Sequence, residues 1–124
     1  MASMSPVALR RSDIPTFEEW MNRYASRNDD RKGAKGLRED ISDLKAPKGK
    51  IWIEATVGFL EDLFSALFPE DVRILVEHNR PGWFEVYVLR NGKLLGGTAL
   101  KGTDVLLLSE DTLRSCRMWA LKLP

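Results

Sequence analysis

A chain of 124 residues, 44% hydrophobic and 30% charged, has the size and composition of one globular domain. A net charge of +1 provides no global field to recruit nucleic acid or a membrane surface. The single cysteine, Cys116, excludes an internal disulfide and every paired-cysteine metal or redox motif.

Charge is uneven along the chain: residues 1–50 hold 11 Lys and Arg against 8 Asp and Glu, and the remainder is slightly acidic. The start, MASMSPVALRR, lacks the long apolar core of a secretory signal. The most apolar stretch, Trp52–Leu67, is interrupted by Glu54, Glu61 and Asp62, so no membrane span is expected. The reading is a cytoplasmic protein, with residues 1–12 a flexible arm and 13–124 a single domain.

Order is expected to begin with the stretch SDIPTFEEWMNRYASR. Thr16 and Glu19 have the spacing of a capping box, with Pro15 just ahead. Phe17, Trp20, Met21 and Tyr24 follow at i, i+3, i+4 and i+7, one face of a short amphipathic helix. Residues 27–50 read as a long polar linker, with a turn or two of helix allowed near Leu37–Leu44. Arg31, Lys32, Lys35 and Arg38 in it are candidate phosphate contacts, although their spacing carries no specific motif.

Ile53, Val57, Leu60, Phe64 and Leu67 step by 4, 3, 4 and 3, which predicts one long amphipathic helix ended by Pro69. Lys50–Glu54 has an alternative as a short strand, leaving Thr56 as the helix cap. From Asp71 the period changes to that of strands, with VRILVEH, WFEVYVLR, KLLGGTAL and VLLLS separated by NRPG, NG and KGTD. Asn91-Gly92 predicts a two-residue type I′ hairpin. The tail from Ser109 reads either as a helix capped by that serine or as a last strand, CRMWALKL; the strand is favoured. The fold expected is α+β: a four- or five-stranded antiparallel meander packed by one long amphipathic helix, with the short N-terminal helix near an edge.

A hairpin turning at Asn91-Gly92 sets Leu89 against Leu94, Val88 against Leu95, Tyr87 against Gly96 and Phe84 against Ala99. Phe84, Val86, Val88, Leu95 and Ala99 then form the core face. Trp83, Glu85, Tyr87 and Leu89 occupy the other, against Leu94, Gly96 and Thr98. Trp83, Glu85 and Tyr87 are the binding candidates among them, since an aromatic beside bare glycine backbone makes a flat platform. With Arg80 and His78 from the preceding turn, these five are the candidate binding residues. They form a binding face only if the first helix does not cover them. The placement of Val72, Ile74 and Val76 is conditional: an unbulged NRPG loop puts them on the platform side, and one extra residue turns them to the core.

Catalytic signatures are weak. Cys116 and His78 lie in separate elements, and one His with one Cys makes at most half a zinc site. Glu77, His78 and Glu85 form a possible acid–base cluster, and neither GKLLGG nor KGTD has phosphate-loop spacing. No metal or cofactor is expected. The leading reading is a non-catalytic interaction module acting through a protein partner or self-association. The alternatives are RNA or single-stranded nucleic-acid binding through the aromatic face and basic linker, and a small ligand-binding protein or enzyme with a sheet–helix pocket.

Overall fold

A computed structural model describes residues 8–32, 50–54, 57–103 and 105–124. A 3-10 turn at Arg11–Asp13 precedes helix α1 (Phe17–Lys32). Then come β1 (Lys50–Glu54), α2 (Val57–Ser65), β2 (Val72–Glu77), β3 (Trp83–Arg90), β4 (Lys93–Lys101), β5 (Val105–Ser109) and α3 (Glu110–Leu121). The class is α+β. The strands do not form one meander of four or five: β2, β3 and β4 make a three-stranded antiparallel sheet, and β1 pairs with β5 in a separate two-stranded ribbon.

Helix α1 starts at the capping box. The Glu19 amide donates to Thr16 Oγ1 over 3.2 Å, and the Thr16 amide and hydroxyl both reach Glu19 Oε1. Phe17, Trp20, Met21 and Tyr24 are all buried. The helix is longer than the apolar period alone implies, running to Lys32. Residues 33–49 of the expected linker, with the helical turn allowed there, lie outside the described residues, as do residues 1–7 of the arm. Leu9 packs against the core, and its amide donates to the Pro124 carbonyl over 3.0 Å.

The expected long helix is shorter by its first turn. Lys50–Glu54, KIWIE, is a strand whose backbone pairs in register with Val105–Ser109. The β-branched and aromatic residues of that run favour pleated backbone once a partner strand is available. Thr56 lies outside the described residues. Leu60, Leu63 and Phe64 of α2, with Ala66, Leu67 and Phe68 just beyond it, are fully buried.

The tail is a helix, which corrects the strand reading. Ser109 caps it, its hydroxyl accepting from the Thr112 amide over 3.1 Å. Glu110 and Asp111 sit in the first turn, where the helix dipole favours negative charge. Leu113, Cys116 and Ala120 are buried while Met118 is exposed, a helical period rather than the alternation of a strand.

α2 is short, and α1 supplies what its end lacks. The last carbonyls of a helix have no intrahelical donor. Here Trp20 Nε1 donates to Leu63 O over 2.7 Å, Arg27 Nη1 to Ser65 O over 3.0 Å and Arg23 Nη1 to Ala66 O over 3.2 Å. The Asp62 and Phe64 carbonyls accept from the Ala66 and Leu67 amides. A chain of aromatic contacts joins the helices: Phe17 to Trp20, Trp20 to Phe64, and Phe64 and Phe68 to Trp119 of α3. Arg117 Nε of α3 donates to the Pro15 carbonyl over 2.6 Å, fixing the entry to α1. α1, α2 and α3 therefore share one core, which Phe84, Val86 and Val88 of the sheet complete.

Candidate interaction face

The geometry of the sheet decides which side chains reach that core. The β2–β3 connection is one residue longer than an unbulged NRPG loop allows, because Glu77 pairs with Glu85 and Val76 with Val86. The Trp83 amide donates to the Arg80 carbonyl over 3.1 Å, closing a turn with Pro81 and Gly82 at its centre. Gly82 has φ +83°, the value a type II turn needs at that position. The extra residue turns Val72 and Val76 into the core, both buried, and sends Arg73 and Leu75 outward.

The Asn91-Gly92 hairpin forms as expected, with φ values of 52° and 76°. Arg90–Lys93 and Leu89–Leu94 pair as the turn dictates. Beyond them a bulge leaves Leu95 unpaired, and Val88 faces Gly96, Tyr87 faces Gly97, Glu85 faces Ala99 and Phe84 faces Leu100. Ala99 therefore belongs to the outer face, not the core face where the straight register puts it. Tyr87 still lies over glycine: a Cβ on Gly97 would stand 3.1 Å from its ring and 3.2 Å from the Val86 carbonyl.

The outer face carries Arg73, Leu75 and Glu77 on β2, Trp83, Glu85, Tyr87 and Leu89 on β3, and Leu94, Gly97, Ala99 and Lys101 on β4. None of them is buried. The three described helices pack with the opposite face, so among the described residues no helix lies over this one. Leu75 and Leu94, 46% and 62% exposed, are among the large apolar side chains most open to solvent in the described residues. A recess of about 430 Å³ at the hairpin end is lined by Arg73, Leu75 and Leu89 among others.

The candidate residues divide. Trp83, Glu85 and Tyr87 share the outer face, and the Arg80 guanidinium lies 4.9 Å from the Trp83 ring. His78 does not join them. It stacks on buried Phe84, with centroids 3.8 Å apart and planes 22° from parallel, because the longer connection rotates it to the inner side. Tyr87 Oη donates to Glu85 Oε2 over 2.7 Å, and this bond to a carboxylate raises the phenol above its usual range. Arg31 and Lys32 end α1, and Lys35 and Arg38 lie outside the described residues. Leu89 and Leu94 stand on this face as the Asn91-Gly92 register implies. Leu75 is the residue the sequence does not single out, because its side depends on the length of the β2–β3 connection.

Cys116 lies on the buried face of α3, and burial pushes its thiol up to about 11. The thiolate needed for nucleophilic chemistry is therefore disfavoured. Among the described residues no three His, Cys, Asp or Glu side chains gather as a metal site, and no helix is long and apolar enough to cross a membrane. Comparison with protein-family models, with curated proteins and with solved structures returned no match.

Proposed function

We infer that this chain is a non-catalytic interaction module whose docking surface for a protein partner is the outer face of the β2–β3–β4 sheet. The observation that carries the reading is the side on which α1 packs. Its capping of α2 holds it with the core, leaving Tyr87, Leu75, Leu89 and Leu94 as an aromatic and aliphatic patch, with Trp83 beyond the Glu77–Glu85 pair. Aromatic anchors inside a polar rim are the composition of protein interfaces.

The same face suits nucleic acid less well. Glu77 and Glu85 stand directly opposite each other beside Tyr87, where a phosphate would be repelled. Arg80 occupies one side of the Trp83 ring, which a stacked base would need. Arg23 and Arg27, the basic residues nearest the linker whose contacts are described, are engaged with α2 carbonyls.

The test compares the wild-type chain with Trp83→Ser/Tyr87→Ser as bait. The reading predicts proteins retained by the first and lost by the second while the fold is kept. Identical retention by both contradicts it. A salt-dependent gel shift with single-stranded RNA, lost in the same variant, would replace it with the nucleic-acid reading.

A further inference from the structure

We propose that β2 is a self-complementary edge, and that two copies of this chain pair antiparallel along it, joining their sheets into one of six strands. Among the described residues β2 is an outer strand of its sheet, hydrogen-bonded to β3 on one side alone. A free edge carries a row of backbone donors and acceptors ready for another strand. The occupant is identified by the charge pattern. In the strand Val72–Glu77, Arg73 and Glu77 stand four residues apart on the outer face, with Leu75 between them. A two-fold axis at Leu75 would place Leu75 against its own copy. Arg73 would then lie opposite Glu77 of the partner subunit, and the reverse pair would form at the other end. Ile74 would meet Val76 of the partner subunit on the inner face, where α2 already packs against β2.

Neither charge is satisfied within one chain. Arg73 lies across from Leu89 and has no ion-pair partner among the described residues. Glu77 lies across from Glu85, a like charge, and has a hydrogen bond from the neutral amide of Asn79 over 3.2 Å. Like charges directly opposite in a ladder are unfavourable, and opposite ones are stabilising. The second copy would give both residues what their own sheet does not, and would cover Leu75, 46% exposed.

The other edge behaves differently. β4 carries a bulge at Leu95, which interrupts pairing. Its terminal charges, Lys93 and Lys101, have the same sign, so an antiparallel pairing centred on Gly97 would set lysine against lysine. Of the two edges, only β2 suits a second copy. This inference concerns the strand edge and does not depend on what the outer face binds.

The test is a charge-swap series read by sedimentation equilibrium and light-scattering mass. The wild-type chain is expected to be a dimer at the higher concentrations, and Arg73→Glu and Glu77→Arg should each raise its dissociation constant at least about tenfold. Both positions are outward-facing, and circular dichroism melting confirms that each variant is folded. The double variant R73E/E77R should recover the dimer, and an equimolar mixture of the two single variants should form a heterodimer. Lys101→Glu, on the other edge, should leave the mass unchanged. A monomeric wild-type chain, a dimer insensitive to Arg73→Glu, or a double variant no tighter than the singles would each overturn the proposal.

Discussion

The Trp20 indole nitrogen donates to the Leu63 carbonyl oxygen, 2.7 Å away and fully buried, and this bond fixes α1 on the inner side of the sheet. Trp20→Phe keeps a large ring but removes the donor. It should lower stability by about 1–3 kcal/mol, the range for leaving a buried acceptor unpaired. Trp20→Ala, which also opens a cavity, should cost roughly 3–5 kcal/mol. Urea denaturation of both variants checks this, and equal losses would mean that packing alone, not the hydrogen bond, matters at this site.

Burial of Cys116 predicts its reactivity. With the thiol at about 11, labelling by an aromatic disulfide near pH 8 should be slow in the native chain and rapid in denaturant. The rate followed against urea should rise with global unfolding. Rapid stoichiometric labelling of the folded protein would contradict the place of Cys116 on the buried face of α3.

Arg90 clamps the entry to β2. Its Nε and Nη2 donate to the two carboxylate oxygens of Asp71 over 2.8 and 3.3 Å. The bond lowers the Asp71 carboxyl below its ordinary value of 3.8. A carboxyl whose folded value is depressed contributes stability that is fully present above the unfolded value and is lost as pH falls through the folded one. The stability difference between wild type and Asp71→Asn should therefore be flat at neutral pH and shrink below about pH 4. Chemical denaturation at several pH values measures it, and a difference that grows on acidification would have the wrong sign.

Local chemistry made much of this fold legible. The Thr16–Glu19 box, the aromatic face of α1 and the Asn91-Gly92 turn are short-range signals, and each stands in the structure as its spacing implies. What the sequence left open depended on pairing at a distance. KIWIE continues a helical period, and it is a strand because Val105–Ser109 lies alongside it. CRMWALKL is apolar enough to read as a last strand, yet the Ser109 cap and the acidic first turn carry the helix through it.

Two single-residue slips shaped the candidate face. The Gly96-Gly97 pair hides the first, because Tyr87 meets a glycine in either register. The second, in the connection to β3, sent Leu75 and Arg73 outward and His78 inward. Trp83, Glu85 and Tyr87 kept their predicted side because alternation within one strand does not depend on its neighbours.

One aromatic pair of this chain belongs to the core and another to a face that no described helix covers. The most direct measurement compares two matched double variants, Trp20→Ser/Tyr24→Ser and Trp83→Ser/Tyr87→Ser, each losing one tryptophan and one tyrosine. Trp20 and Tyr24 are 0% and 2% exposed, and their loss should cost roughly 3–5 kcal/mol per residue, enough to unfold the chain or nearly so. Trp83 and Tyr87 are partly exposed on a face that no described helix covers, and their joint loss should stay below about 2 kcal/mol. Thermal melting of the two variants beside wild type reads the contrast. A native-like transition for the outer variant with collapse of the inner one is the predicted result; equal collapse of both would contradict the open face and the function inferred from it.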